Sequence, residues 1–218
     1  CRDRNKIALQ SDILGANALG IKNILCITGD SVKAGDQQDA KAVHQFESVR
    51  LLQQIQAFNK GIDPTFGELP DKKTFIYAGA AADPSCRNQK SLDKRMRKKK
   101  DAGAQFIQTQ MVMEREKLIE FCENIARPLD IPVIAGIFLL KSYKNALFIN
   151  KNVPGAYIPE NILNRLKVAK NPLEEGIQIA AEQAQDFYNI ANGIHLMAVK
   201  AEHLIPEILE KSNLNLEY

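Results

Sequence analysis

The sequence predicts a parallel α/β fold, and two observations carry that reading. Five short apolar runs rich in β-formers recur along the 218 residues, nearly continuous in hydrophobicity as strands buried on both faces are. Between them the apolar spacing lengthens to i, i+3/i+4, the period of helices that lay one face on a sheet. Alternation of this kind with short connections gives a parallel sheet. Five strands suit an open doubly wound sheet or part of a barrel alike. No G-x-G-x-x-G follows any run, which speaks against a dinucleotide-binding Rossmann domain.

Taken in order, the first helical stripe is Leu9, Ile13 and Ala16, stopping at Gly20, a C-terminal capping residue. The first run follows at Ile21 to Thr28, ending in Gly29-Asp30. Ser31 to Gln45 reads as an inserted loop, then Leu51, Ile55 and Phe58 mark a second helix before Gly61. Gly61 to Lys73, with Pro64, Gly67 and Pro70, reads as a second inserted loop. The second and third runs are Thr74 to Ala80 and Gln105 to Thr109. Leu118, Cys122 and Ile125 form a helix that ends before Pro128, and Pro132 to Phe138 is the most strand-like run. Ile177, Ala181, Ala184 and Tyr188 stripe a long helix that stops near Gly193, where the fifth run, to Val199, begins.

Composition narrows the function class. At 45% hydrophobic and 25% charged residues, the chain can build a sizeable core. A net charge of +3 falls short of a nucleic-acid surface and suits an anionic small molecule. No apolar run reaches the ~20 residues of a membrane-spanning helix. Cys1, Cys26, Cys86 and Cys122 form no C-x-x-C pair, so no metal site is expected and reduced thiols are the reading.

In parallel α/β folds function gathers at the C-terminal ends of strands. Those ends carry Thr28-Gly29-Asp30, the small residues Ala80-Ala81-Ala82 before Asp83-Pro84, Thr109-Gln110, Lys141-Ser142-Tyr143, and Lys200. Taken singly, each has an ordinary explanation; Gly-Asp turns, for instance, are common. The basic run Arg95 to Lys100 reads as a solvated helix face or as a phosphate contact. Without interleaved aromatic residues it is not a nucleic-acid platform. His195 lies inside a strand and reads as a core histidine.

Several strings in order resemble the methylenetetrahydrofolate reductase family: Cys1-Arg-Asp-Arg-Asn5, Leu9 to Ala16, Ile27-Thr-Gly-Asp30, Asp101 to Gln110, Ala135-Gly-Ile137, Val153 to Pro159, Glu174 to Ile177 and Gly193 to Met197. The resemblance implies a (β/α)8 TIM barrel with FAD at its mouth, reducing 5,10-methylenetetrahydrofolate to 5-methyltetrahydrofolate with NADH or NADPH as donor, in the cytoplasm. It implies that Asp30 is the catalytic carboxylate beside the isoalloxazine, with Thr28, Gly29, His44, Asp83, Lys98 and Lys99 on the cofactor. It likewise implies Gln110, Tyr143 and Lys200 on the folate. The chain departs from the family at His44, where an aromatic residue is usual, and at Asp83, where His or Asn is. Residues 1–218 would form one barrel domain that is incomplete at its N-terminal side, with about five of eight strands. The general-acid glutamate would lie in the part before Cys1, leaving the chain alone incomplete for catalysis. A homo-oligomer or a larger chain or complex is the implied setting, with no nucleic acid or membrane partner. Two alternatives stand beside this reading: a non-catalytic flavin- and folate-binding barrel subunit, and a pterin-binding methyltransferase barrel.

Overall fold

The computed structural model describes residues 1–69, 73–153 and 155–214; Pro70 and Pro154, each part of a segment singled out above, lie outside them. All five apolar runs are strands: β1 (Asn23–Cys26), β4 (Tyr77–Ala82), β5 (Phe106–Met111), β6 (Val133–Phe138) and β7 (Gly193–Met197). They form one sheet in the order β1-β4-β5-β6-β7. The register pairs Asn23 with Tyr77 and Ile134 with Gly193, both in parallel ladders. The expected helices are α1 (Lys6–Ala18), α2 (Ser48–Asn59), α4 (Arg115–Phe121) and α7 (Pro172–Tyr188), and the basic run lies in α3 (Gln89–Asp101).

Three helices escape the apolar-stripe reading: α5 (Tyr143–Asn152), α6 (Glu160–Val168) and α8 (Ile205–Ser212). The segment Gly61 to Lys73 is also more than a loop. It holds an antiparallel hairpin of β2 (Ile62–Asp63) and β3 (Gly67–Glu68). Asp63 makes its turn, Oδ1 accepting the N–H groups of Thr65 (2.7 Å) and Phe66 (3.2 Å). In α7 the inward aromatic residue is Phe187, at 1% exposure, and Tyr188 faces out.

Two compact units divide the chain. The first, Cys1–Ala81 with Asp93–Ile107, buries Leu9 and Ile13 of α1, Leu52, Ile55 and Phe58 of α2, and Ala78 and Ala80 of β4. Asn59, at the end of α2, fixes the entry to β4: its Oδ1 accepts from Thr74 Oγ1 (2.6 Å) and the Ile76 N–H (3.0 Å), and its Nδ2 donates to the Ile76 carbonyl (2.8 Å). Gly79 of β4 lies against the Phe106 ring, which occupies the place of a Cβ.

The second unit, Ala82–Leu92 with Gln108–Tyr218, lays α7 on its strands through Ile177, Ala181, Ala184 and Phe187. Gly176 lets α7 approach the Leu140 carbonyl, again where a Cβ would stand. Arg165 of α6 ties to α7 through Glu175 (2.7 Å) and, by two bonds, Glu182 (2.6 and 3.1 Å). Among the described residues, no helix is long and apolar enough to cross a membrane. The four cysteines carry no disulfide, and burial pushes the Cys26 thiol to about 12 and that of Cys122 to about 11.

Candidate active site

In the first unit the site begins where β1 ends. Thr28 Oγ1 accepts the N–H of Ser48 (3.1 Å) and lies 3.3 Å from the Ser48 hydroxyl. Ser48 opens α2, whose N-cap residue Glu47 makes no side-chain cap, so Thr28 satisfies a first-turn amide that would otherwise lack a partner. The Thr28 hydroxyl is therefore committed to the fold. Gly29 follows at φ +91°, where a Cβ would also stand 2.8 Å from Arg2 Cβ, so both backbone and space require glycine. Asp30 beyond it is exposed.

Arg2 gathers this corner. Its carbonyl accepts the N–H groups of Val43 (2.7 Å) and His44 (3.4 Å), with His44 in the left-handed region at φ 42°. Its guanidinium holds Asp3 at 2.6 and 2.9 Å, and the pKa of Arg2 is raised by that hydrogen bond first, with a smaller contribution from Asp30. Gly29 and His44 thus meet on Arg2, a residue that the sequence reading left without a role. Its signal was the string Cys1 to Asn5.

The expected basic pair separates. Lys98 is exposed, whereas Lys99 is 8% exposed and its Nζ donates to the Ala81 carbonyl at 2.6 Å. Neighbours on a helix point about 100° apart, so one of them turns inward and the other to solvent. Burial lowers the Lys99 pKa to about 8, helped by Arg95 and opposed by Glu47 and Cys26. A desolvated ammonium at the end of β4 gains most from an anion that restores its charge pairing.

In the second unit, Gln110 sits near the end of β5. Its Oε1 accepts the Met111 N–H at 3.0 Å, which fixes the amide's orientation because a backbone N–H needs an acceptor. The Nε2 donors are turned to the other side, ready for an acceptor on a ligand. Thr109, 3% exposed, holds the backbone here: Oγ1 donates to the Gln110 carbonyl (2.8 Å) and accepts the Gly136 N–H (2.8 Å). Gly136 admits this approach, since a Cβ would lie 2.7 Å from the Thr109 carbonyl oxygen.

Tyr143 is the first residue of α5, capped by Ser142, whose Oγ accepts the Asn145 N–H at 3.1 Å. Half-buried, it packs on the cluster that contains Met111, together with Phe138 and Met197. Gln110 and Tyr143 both belong to the second unit. Lys167 reaches over its ring at 6.0 Å. Lys200 stands apart, exposed at φ 57°, its N–H bonded to Glu202 Oε1 (3.0 Å). Lys141 adds a second ammonium nearby through the Val199 carbonyl (2.9 Å). Asp83 lines a separate cavity with Ser85, Arg87, Glu114, Asn150 and Tyr157. Ser85, Arg87, Glu114 and Asn150 escaped the sequence reading because they lie on loops and helix ends without a motif, whereas Tyr157 stands in the Val153 to Pro159 string.

Comparison with known proteins bears on both units. The family model for methylenetetrahydrofolate reductase matches residues 1–213. Methylenetetrahydrofolate reductase 2 of Schizosaccharomyces pombe is 27% identical over 98% of this chain and 35% of its own length. The probable methylenetetrahydrofolate reductase (NADPH) of Caenorhabditis elegans is 26% identical over 98% of this chain and 31% of its own. The chain thus spans about a third of the length of these curated relatives. Among solved structures, it resembles an uncharacterized protein from Clostridium thermocellum that binds two copies of 5-methyl-5,6,7,8-tetrahydrofolic acid. That match has a TM-score of 0.55 at 17% identity, covers 88% of this chain and 70% of the other, and speaks to the fold alone. With its family model matched almost from end to end, the chain belongs to the methylenetetrahydrofolate reductase family.

Proposed function

We propose that this chain carries the flavin and folate site of an enzyme that reduces 5,10-methylenetetrahydrofolate to 5-methyltetrahydrofolate, with NADH or NADPH as donor. The observation that carries the reading is the family match over residues 1–213, which takes in Asp30, Lys99, Gln110 and Tyr143. Relatives named for this activity, one of them with NADPH, support it, as does the folate ligand named for the structural neighbour. The strand order suits an arc of a (β/α)8 barrel in one domain, completed by further strands of a longer chain or complex. Unbridged cysteines suit the reducing cytoplasm.

The residues fit FAD. A buried ammonium with a lowered pKa at Lys99 matches a pyrophosphate, with Lys98 as an outer, solvent-screened contact. Gly29 makes the turn at the end of β1 with Arg2 against its bare side, and Thr28 and His44 hold the two chain segments on either side of the flavin. FAD would supply the hydride relay when bound. The protein's part is charge and position. Asp30 favours the cationic iminium form of the folate. Gln110 donates its amide N–H groups to an acceptor on the pterin, Tyr143 packs against the folate, and Lys200 with Lys141 attracts its carboxylate tail. The test is formation of 5-methyltetrahydrofolate by the full-length protein with FAD, a nicotinamide donor and methylenetetrahydrofolate, read by mass spectrometry. Product that disappears in Asp30→Asn supports the proposal. A wild-type protein that holds FAD, is reduced by the donor and yields no product contradicts it.

A further inference from the structure

The second unit contains a cavity of about 860 Å³, a size typical of small-molecule sites. Asp83 lines it; Gln110, Tyr143 and Lys200 do not. The Asp83 carboxyl is half-buried, and Oδ1 accepts the Ser85 N–H at 2.9 Å. Among the described residues, no hydrogen bond reaches Oδ2. Gly155, at φ +79°, leaves open the space in front of that oxygen, which a Cβ would take at 3.1 Å. Burial raises the Asp83 pKa, the Ser85 N–H opposing it, as befits a carboxylate short of donors.

Tyr157 adds an aromatic ring to the lining. Tyr157 is 56% exposed, yet its loop is pinned to α5: Asn150 accepts the Ile158 N–H (2.7 Å) and donates to the Ile158 carbonyl (3.0 Å). Arg87 is the cation of the lining, and Glu114 adds a second acceptor.

We propose that this cavity binds a second folate, pterin first, with the 2-amino and N3–H donors on the Asp83 carboxylate, the ring beside Tyr157 and the glutamate tail toward Arg87. A pterin edge offers two adjacent donors to a carboxylate, whereas adenine pairs one donor with an acceptor. The assignment moves Asp83 from the flavin to the folate, and it rests on the folate reading of the protein.

The test is calorimetric titration of the full-length, FAD-loaded protein with 5-methyltetrahydrofolate. Two equivalents are expected per protomer. Arg87→Ala and Tyr157→Ala, both at exposed positions, should weaken one of them at least tenfold and leave flavin content unchanged, while Gln110→Ala weakens the other. A single equivalent that responds to Gln110→Ala alone overturns the second site and leaves the folate reading standing. So does displacement of the Arg87-dependent equivalent by AMP. No binding at all removes the folate reading, and this proposal with it.

Discussion

The ends of β1 and β5 carry the two groups most central to the proposed chemistry, and they are built in opposite ways. Beyond β1, Asp30 is exposed on a corner held mainly by backbone, through Gly29 and Arg2. At β5, Gln110 rests on buried Thr109 and on Gly136, with its amide orientation already set. A charge that acts through the field needs access more than rigid placement. A hydrogen-bond donor must be held within tenths of an ångström.

The sharpest way to break this contrast is a methyl group at each glycine. Gly136→Ala puts a Cβ against two carbonyl oxygens, at 2.7 and 2.8 Å, and should cost about 3 kcal/mol. Gly29→Ala meets a side-chain carbon of Arg2 and a positive φ, for about 1–2 kcal/mol. Urea denaturation measures both, and equal costs would erase the difference between the two ends.

Lys99 gives the next largest effect, with two signs. Lys99→Met should weaken FAD binding about tenfold or more by loss of a charge-assisted bond, and should stabilise the FAD-free protein by about 1–3 kcal/mol because a desolvated charge is gone. Lys98→Met, on the exposed side, should change FAD affinity less than about threefold. The same group sets a pH dependence. Its folded pKa of about 8 lies below its ordinary 10.5, so between these values the unfolded chain binds more protons and FAD-free stability rises with pH. FAD affinity runs the other way and falls as pH climbs through 8. Parallel trends in the two titrations would remove Lys99 from the phosphate contact.

Gln110 separates donor from acceptor. Gln110→Glu keeps an oxygen for the Met111 N–H but loses the donors, so it should raise the folate KM about as much as Gln110→Ala, roughly tenfold. A glutamate variant close to wild type would mean that this side chain accepts. Thr28→Val is the mildest change, costing about 1 kcal/mol through the lost cap on α2, with little effect on folate KM.

How much of this was legible in the sequence follows from what each residue signals. The five strands were, because each is a nearly continuous apolar string, although only β4, β5 and β6 are largely buried and β1 and β7 are half-buried at most positions. The β2–β3 hairpin was not, since two-residue strands have no period and only the Asp63 turn marks it. In α3 the inward residues are few (Leu92, Met96 and, against its type, Lys99), so its charge concealed which lysine turns inside. Tyr188 took the place of Phe187 in the stripe because adjacent aromatics fit a helical period almost equally well. Asp30, Gln110 and Tyr143 were reached through strand ends and resemblance, whereas the direction of the Gln110 amide depends on a neighbour's N–H that no string reveals.

The most direct test of the account is a visible spectrum of the full-length protein titrated with FAD, then with NADPH or NADH under anaerobic conditions, then with methylenetetrahydrofolate. Stoichiometric flavin bands that bleach with the donor and return with the folate are expected. A protein that stays colourless with FAD present, or whose reduced flavin ignores the folate, would contradict it.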